Sequence, residues 1–344
     1  MNSFADRLLA WYEQHRRDLP WRRDRDPWAI WVSEVMLQQT RVEAVREPFE
    51  RFLRRFPTPA AFAVASDDEL LLAWKGLGYY RRARLLRDGA RAVVERHAGA
   101  VPGDPAALLS LPGVGTYTKG AIASIAFGHA EPAVDGNVER VFARHRGITA
   151  DVKTAASQRL LRALVVEHLP PARAGDFNQA LMELGATVCT PQSPRCERCP
   201  VRSGCAAAKA GNAAQLPVRK PPRQAVTVTA RVALALRAGA ALGNRVPAEE
   251  PNAGQIELPG AGILRDLDPA DLATVLRQRF AARVTIGAEL ARARHAITHH
   301  RITVHAHAAT VAHEGALQWF DLAPTTPWTT PSRKLLAAVA ATDA

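Results

Sequence analysis

Residues 110–147 read SLPGVGTYTKGAIASIAFGHAEPAVDGNVERVFARHRG, and this stretch decides the fold of the first half of the chain. Its first part, Leu111–Gly115, separates a helical pattern that ends at Leu109 from another over 116–127. Glycines in so tight a turn leave no side chains in the way, so backbone N–H groups at the start of the second helix can face a phosphate oxygen. The pattern fits an ordinary turn between helices, and it also fits a hairpin that anchors a DNA backbone through Leu111, Gly113 and Gly115.

An acidic residue, Asp135, follows Gly115 by twenty positions and precedes an apolar and basic run over 136–144. This position predicts a helix N-cap, where amide groups and the positive end of the helix dipole hold a carboxylate ionised. Such a carboxylate can cap the helix and do nothing more, or it can stabilise positive charge on a substrate. The residues around Asp135 leave both interpretations open.

A second carboxyl group, that of Glu34, lies in the apolar segment WAIWVSEVMLQQT of residues 28–40. Its neighbours Trp31, Val35 and Met36 predict burial, which raises the pKa of a carboxyl group and keeps it protonated near neutral pH. A protonated carboxylic acid so placed can act as a general acid. Most single glutamates on helices are exposed, so this interpretation depends on the whole segment.

The four cysteines of the chain are Cys189, Cys196, Cys199 and Cys205, with six, two and five residues between them. Four thiolates on so short a loop can converge on one centre, and none is left for a disulfide. Tetrahedral zinc and a [4Fe–4S] cluster both satisfy this donor set. Either would hold the loop in shape and present three basic side chains to phosphate, those of Arg195, Arg198 and Arg202.

The composition favours a polyanionic partner. Of 344 residues, 45 are Lys or Arg and 33 are Asp or Glu, which gives a formal net charge of +12. Neutralising phosphates releases counterions, so nucleic acid is the leading candidate, although basic charge can also serve solubility alone. No apolar run approaches the roughly 18 residues of a membrane span, and the first residues lack the pattern of a signal peptide. We therefore expect a cytoplasmic, nucleoid-associated monomer without membrane contact.

The spacing of apolar residues changes partway along the chain. Up to about residue 208 they recur every three or four positions, which predicts an all-helical domain. From Val226 to Leu236 they alternate, which predicts a strand with its apolar residues on one face. Further strands are expected around Ile297 and over 302–308, and helices over 271–280 and 332–341. The predicted domains are a helical domain over 1–209, an extended linker over 210–224 and a smaller α+β domain over 225–344.

These motifs together resemble the adenine DNA glycosylases of the MutY family, in the helix–hairpin–helix superfamily of endonuclease III. The segment around Glu34, the run GLGYYR over 76–81, the hairpin with Asp135 and the cysteine spacing over 189–205 carry the resemblance. It implies an all-α helix–hairpin–helix glycosylase domain whose loop binds a [4Fe–4S] cluster rather than zinc. It also implies base excision repair of double-stranded DNA, in which adenine mispaired with 8-oxoguanine or guanine is flipped out and released by hydrolysis.

The resemblance assigns roles to single residues. Glu34 is the general acid that protonates adenine, Asp135 stabilises the sugar as it gains positive charge, and Tyr117 lines the sugar pocket. Gln39 and Tyr79 contact or wedge the DNA near the vacated stack. Because relatives that also cut the strand have lysine in place of Tyr117, we expect a monofunctional enzyme.

One lysine close to Tyr117 tests that expectation. Lys119 lies two positions further on, where small residues such as alanine are usual in the family. The two positions differ by about 200° around a helix, so the side chains face nearly opposite sides. We therefore expect Lys119 to be solvated or to contact phosphate.

The C-terminal half resembles the family's Nudix-like domain, which recognises 8-oxoguanine, but less closely. Residues 254–260, GQIELPG, have lost both aromatic residues of the corresponding family segment, and no acidic Nudix metal box is visible. The lesion-reading loop maps onto Ile297-Thr298-His299, where Ile297 cannot stack as an aromatic ring does. Thr298 and His299 are the expected recognition residues. Six of the 11 histidines fall between His295 and His313, and we interpret them as strand-surface residues that no carboxylate joins.

Two alternatives belong to other classes. An endonuclease III-like glycosylase and lyase, acting on damaged pyrimidines, would need a lysine where this chain has Tyr117. A DNA-binding protein that uses its cluster only structurally would have no need of both Glu34 and Asp135.

Overall fold

The computed structural model describes residues 3–218 and 224–341, which divide into two compact units. Residues 3–65 and 81–218 form a helical unit, and residues 66–80 and 224–341 form an α+β unit. Residues 219–223 of the expected linker lie outside the described residues. Within the described ranges, no helix combines the length and the apolarity that crossing a bilayer requires.

Aromatic side chains fill the apolar interior of the helical unit. Phe142 and Phe177 are fully buried in one apolar cluster, and Phe52 and Phe62 are fully buried elsewhere in the unit, where their ring centroids lie 4.9 Å apart. The helices of this unit, numbered along the whole chain, are α1 (Phe4–His15), α2 (Pro27–Leu37), α3 (Val42–Arg55), α4 (Pro59–Ala63), α6 (Arg81–Arg96), α7 (Pro105–Leu109), α8 (Thr116–Ile125), α9 (Gly136–Arg146), α10 (Ala155–His168), α11 (Ala174–Thr187) and α12 (Ala206–Ala210).

Helix α2 is buried along most of its length. Residues 28–36 are all buried, and the side chain of the N-cap, Asp26, accepts hydrogen bonds from the amides of Trp28 and Ala29 at 3.1 and 3.2 Å. A helix that is apolar all round belongs in a core rather than at a surface. A polar side chain on α2 therefore needs a specific partner.

The α+β unit contains two small sheets. In one, β6 (His300–His313) lies between β1 (Val226–Leu234), which is parallel to it, and β5 (Arg283–Ile297), which is antiparallel. In the other, β3 (Ala240–Arg245) pairs with β2 (Leu236–Arg237), β4 (Ile256–Glu257) and β7 (Gln318–Asp321). The expected α+β class is thus confirmed. The helices of this unit are α5 (Asp67–Ala73), α13 (Leu272–Phe280) and α14 (Thr330–Ala340).

The prediction of a single apolar face from Val226 to Leu236 is wrong at both ends. Val226 is 44% exposed, and Ala233 and Leu234 are buried side by side. The chain then passes to the other sheet, where Leu236 is 47% exposed on β2. Alternation along a sequence does not reveal where a chain changes sheets.

Candidate active site

Glu34 lies in the last turn of α2 and is 6% exposed. The hydroxyl of Tyr117, on α8, donates a hydrogen bond to its Oε2. Burial raises the pKa of Glu34 to about 7; the bond from Tyr117 opposes this rise and the charge of Asp135 adds to it. The burial predicted from the apolar neighbours is confirmed, and Glu34 keeps its proton up to about neutral pH.

Tyr117 connects α2, α8 and α11 through its hydroxyl group. Besides its bond to Glu34, the hydroxyl lies 3.2 Å from Sδ of Met182 on α11. Burial and the charges of Glu34 and Asp135 raise the pKa of Tyr117 well above its ordinary value, so the phenol remains a donor. Because it donates to Oε2, the proton of neutral Glu34 resides on Oε1, from which a base can take it.

Asp135 is the N-cap of α9, as its position in the sequence predicts. Oδ1 accepts hydrogen bonds from the amides of Asn137 and Val138 at 2.9 and 2.8 Å, and Oδ2 accepts one from Nδ2 of Asn137 at 2.7 Å. Burial raises the pKa of Asp135 above its ordinary value, and these hydrogen bonds oppose the rise. Three donors on two oxygens still fit the carboxylate better than the protonated acid.

The backbone that leads to Asp135 is held by Asn178, a fully buried residue of α11. Its Oδ1 accepts a hydrogen bond from the amide of Ala133 at 3.1 Å. Its Nδ2 donates to the carbonyl of Glu131 at 2.8 Å and to the hydroxyl of Ser124 at 2.9 Å. Helices α8 and α11 thereby fix the segment from which Asp135 projects.

Lys119 is neither solvated nor free to reach phosphate, so that expectation is wrong. It is 8% exposed and forms an ion pair with Glu131, which also binds Arg162 at 3.1 Å. Tyr117 and Lys119 have different partners, as their angular separation on α8 predicts. The ion pair could not be predicted because Glu131 lies in an irregular segment without periodicity.

The expected DNA anchor is the hairpin between α7 and α8. Gly113 has φ +77°, and a Cβ on it would lie 2.9 Å from Cβ of Leu85, so the turn requires glycine. Gly115 is the N-cap of α8 and has no side chain with which to cap it, which leaves the first amides for an outside acceptor such as phosphate. The side chain of Leu111 is 3% exposed and packs under the hairpin, so a contact of this residue with DNA would be made by its backbone.

The two residues expected to contact the vacated stack share an unusual backbone conformation. Gln39 is exposed with φ +58°, and Tyr79 is 51% exposed with φ +48°. Left-handed non-glycine residues are uncommon and are maintained by their surroundings. Gln39 belongs to the helical unit, whereas Tyr79 belongs to the α+β unit.

Thr298 and His299 form the two-residue turn between β5 and β6, since Ile297 pairs with His300. Thr298 has φ +53°, and its hydroxyl donates to the carbonyl of Ile297 at 2.7 Å. Because the hydroxyl already donates its proton within the turn, it can bind an outside partner mainly as an acceptor.

Two carboxyl groups of the α+β unit were not anticipated. Nδ1 of His305 lies 3.0 Å from Oε2 of Glu289, so the expectation that no carboxylate joins the histidines is wrong. Glu257 is 7% exposed, and burial raises its pKa to about 7, opposed by a hydrogen bond from Asn244. Glu289 lies on the strand next to that of His305, and Glu257 on the strand next to that of Asn244. These pairings depend on strand register, which the sequence pattern does not show.

The cysteine loop lies between α11 and α12. Burial raises the pKa of Cys199 to about 12, and the other three thiols are close enough to contribute. Nη1 of Arg144 lies 3.2 Å from Sγ of Cys189, and a cation in that position stabilises the thiolate that binds iron. Among the described residues, no three His, Cys, Asp or Glu side chains are arranged to hold a single metal ion. A cubane cluster needs more widely spaced cysteines than a single ion does, because each thiolate binds a different iron. The donor set fits a [4Fe–4S] cluster.

A chain of hydrogen bonds connects this loop to Asp135. Asn137 donates to Asp135, and its Oδ1 accepts a bond from Nη2 of Arg140 at 2.7 Å. Nε of Arg140 donates in turn to the carbonyl of Cys189 at 2.8 Å. The carboxylate and the cysteine loop therefore share one rigid support, which sequence patterns did not indicate.

Another buried carboxylate, Glu183 on α11, was also missed. It is fully buried and binds Arg17 at 2.7 Å and Arg22 at 2.8 Å. Burial raises the pKa of Glu183, but the two guanidinium groups lower it by more, so the carboxylate stays ionised. The charge of Arg22 also lowers the pKa of Glu34 slightly. The ion pairs fix the segment before α2 against α11.

Two family models match segments of this chain. The model of the HhH-GPD superfamily of base excision DNA repair proteins matches residues 32–166, and that of the iron–sulfur binding domain of endonuclease III matches residues 189–205. A solved thermostable thymine-DNA glycosylase superposes with a TM-score of 0.56 and 31% identity, over 60% of this chain and 95% of that one.

Two curated relatives are adenine DNA glycosylases. The one from Homo sapiens is 51% identical over 216 residues, which cover 60% of this chain and 40% of the relative. The one from Mycobacterium tuberculosis (strain ATCC 25618 / H37Rv) is 46% identical over 228 residues, which cover 65% of this chain and 73% of the relative. The loop over 189–205 is accordingly an iron–sulfur segment, and its cofactor is a [4Fe–4S] cluster. The chain belongs to the adenine DNA glycosylase family, within the helix–hairpin–helix superfamily.

Proposed function

We propose that the protein releases adenine from double-stranded DNA where the base faces 8-oxoguanine or guanine. The observation that carries the proposal is the meeting of two unlike carboxyl groups in one site. Glu34, with a pKa of about 7, can give a proton, while Asp135 is bound by three donors that suit a negative charge. Acid and anion chemistry are then available at the same pH.

The chemistry follows from what adenine hydrolysis needs. Adenine leaves poorly as an anion, so transfer of the Oε1 proton of Glu34 to a ring nitrogen assists departure, typically by about 10²–10⁴-fold. The electron pair of the glycosidic bond stays with the base, and the charge of Asp135 stabilises the cationic sugar. Water then adds to the anomeric carbon and loses a proton, which yields free adenine and an abasic site.

The proposed enzyme is monofunctional. A strand-cutting relative needs an amine at the sugar to form a Schiff base, and Tyr117 cannot supply one. The nearby amine of Lys119 is buried and held in an ion pair with Glu131, so it is not available to attack the sugar.

The rest of the molecule supports DNA binding in this proposal. The hairpin amides would hold the backbone, Gln39 and Tyr79 would contact the opened stack, and the exposed Arg195, Arg198 and Arg202 would face phosphate. The cluster, held by Cys189, Cys196, Cys199 and Cys205, constrains the loop that carries these arginines. We propose that the α+β unit is Nudix-like and reads the opposite base through the tip at Thr298 and His299.

Alkali-dependent strand breakage tests the proposal. The substrates are labelled duplexes with adenine opposite 8-oxoguanine, guanine or thymine, and a duplex with an oxidised pyrimidine. We expect alkali-labile breaks at adenine opposite 8-oxoguanine and guanine, their loss in Glu34→Gln, and little adduct on borohydride reduction. Breakage at the pyrimidine instead, or abundant adduct that Lys119→Ala removes, would contradict it.

A further inference from the structure

Arg82, in the first turn of α6, reaches the C-terminal end of α2. Its Nη1 donates to the carbonyl oxygens of Val35 at 2.7 Å, of Met36 at 3.0 Å and of Gln38. Its Nη2 donates to the hydroxyl of Thr40 at 3.2 Å. One planar guanidinium thus binds residues on both sides of the point where the helix ends.

Helix α2 needs such a partner because nearby residues supply little: the Thr40 amide bonds to the carbonyl of Leu37 at 3.3 Å, but no basic side chain or glycine cap follows. The last carbonyls of a helix have no partner within it and carry the negative end of its dipole. The last turn of α2 contains no basic residue, and the C-cap Gln38 has φ −58° rather than the left-handed conformation of a glycine cap. The guanidinium of Arg82 satisfies those carbonyls from another helix.

The residues held in this way flank two residues of the proposed function. Glu34 directly precedes Val35, and Gln39 stands between Gln38 and Thr40. Gln39 has φ +58°, a left-handed conformation that is unfavourable for a residue with a side chain. The hydrogen bonds from Arg82 to Gln38 and Thr40 oppose a change of Gln39 to a more favourable backbone conformation.

Arg82 is a fixed support because α6 is packed closely against its neighbours. A Cβ on Gly89 would lie 2.6 Å from the ring of Trp31 on α2 and 2.8 Å from the carbonyl oxygen of Pro112 in the hairpin. Helix α6 therefore cannot shift without disturbing either α2 or the hairpin.

We propose that Arg82 is a positioning residue that places the proton donor Glu34 and the DNA-facing Gln39 as one unit. Gln39 then contacts the opened base stack only when Glu34 is also in position to donate its proton. The inference rests on the proposed function for the roles of Glu34 and Gln39, but its structural part is measurable without activity.

Hydrogen–deuterium exchange of the iron-loaded full chain tests the structural part. The Thr40 amide bonds to the carbonyl of Leu37 at 3.3 Å and reports on the turn. In Arg82→Met we expect amides 38–41 to exchange at least tenfold faster, with 116–125 unchanged. Arg96→Met, which removes an exposed arginine of the same helix, is the matched control and should behave as wild type. Unchanged exchange over 38–41 in Arg82→Met would overturn the proposal even in a protein without adenine activity.

A double-mutant cycle tests the coupling. Affinity is measured for a duplex in which a 2′-fluoro adenosine, resistant to hydrolysis, faces 8-oxoguanine. We expect Gln39→Ala to weaken binding at least fivefold in the wild-type chain but less than twofold in Arg82→Met. Equal losses in the two backgrounds would show that Arg82 and Gln39 act independently and would overturn the inference.

The lysine variant separates positioning from mere charge. An ammonium group cannot span the Val35 carbonyl and the Thr40 hydroxyl at once, so Arg82→Lys should retain iron and melting temperature but lose at least tenfold in single-turnover excision. Full activity in Arg82→Lys would overturn the proposal. If the wild-type chain releases no adenine, the proposed function fails, and the exchange measurement alone decides the role of Arg82.

Discussion

Glu34 and Asp135 are both buried carboxyl groups, yet their oxygens meet different partners. Glu34 accepts one hydrogen bond from a phenol, whereas Asp135 accepts three from amide groups. Desolvation raises both pKa values, and the donors decide how far each rise is opposed. The proposed roles of Glu34 as acid and Asp135 as anion thus depend on the number of donors as well as on burial.

The first prediction concerns the pH dependence of excision. Because Glu34 must be protonated and its pKa is about 7, the single-turnover rate should fall as pH rises above about 7, approaching tenfold per pH unit. At low pH the rate should fall again as Asp135 takes up a proton. Rates between pH 5 and 9 on an adenine:8-oxoguanine duplex check this. A rate that stays constant up to pH 9 would exclude Glu34 as the proton donor.

The second prediction is that the buried carboxyl group of Glu34 lowers the free energy of unfolding at high pH. The pKa of Glu34 is about 7 in the folded chain against an ordinary 4.5, so the folded state holds a proton that the unfolded state has lost between these values. Stability therefore falls as pH rises from about 4.5 to 7, by roughly 3 kcal/mol in all. Glutamine does not titrate, so the free energy of unfolding of Glu34→Gln should rise relative to that of wild type as pH increases over that range. Denaturant unfolding of both proteins at pH 5 and 8 measures the gain, and an equal difference at the two pH values would contradict it.

At the scale of elements, the support for Asp135 comes from α9 itself and continues to the cysteine loop through Arg140. The third prediction is that Asn137→Ala moves the acidic limb of the excision profile to higher pH. The Asn137 side chain lowers the pKa of Asp135, so its loss raises that pKa. Alanine keeps the Cβ that packs against Gly185. The same series of rates from pH 5 to 9 checks this, and an unmoved acidic limb would show that Asn137 does not tune Asp135.

Local patterns predicted those features that depend on neighbours in the sequence. The apolar residues around Glu34 predicted its burial, and the position of Asp135 predicted an N-cap. The helix expected over 271–280 is α13, which begins one residue later. In each case the physical cause, a helical face or a helix end, lies within a few residues.

Contacts between distant segments could not be predicted in this way. Asn178 binds Ala133, Arg82 binds Val35 and Glu183 binds Arg17, each across more than forty positions of sequence. Such pairs produce no periodic pattern in the sequence, since each partner alone resembles an ordinary polar residue on a helix or loop. The orientation of Leu111 could not be predicted either: the glycines predict the hairpin, but not whether the leucine side chain points into the protein or to solvent.

At the scale of the whole molecule, the α+β unit offers a separate test of lesion reading. The fourth prediction is that Thr298→Gly with His299→Ala lowers the preference for 8-oxoguanine over guanine opposite adenine. Glycine accepts the φ of +53° without strain, so the hairpin should persist while its side chains are lost. Excision rates on the two duplexes give the ratio. A ratio equal to that of wild type would show that the tip does not read the lesion.

The fifth prediction distinguishes local phosphate contacts from the overall charge of the molecule. The chain carries a net charge of +12, and any basic protein attracts DNA through its field. A side chain that neutralises a phosphate contributes about 0.9 to the slope of log affinity against log salt. If Arg195, Arg198 and Arg202 each contact one phosphate, replacing all three with glutamine should reduce the slope by about 2.7.

The control is a second variant with the same loss of charge in the other unit, in which three exposed residues, Arg265, Arg277 and Arg283, become glutamine. It should weaken binding at low salt while leaving the slope nearly unchanged, because a diffuse field is screened within about 10 Å at 0.1 M salt. Fluorescence anisotropy from 50 to 300 mM salt gives both slopes. Equal reductions in the two variants would mean that the cysteine loop adds only charge and that its shape, which the cluster holds, does not position arginines on the DNA backbone.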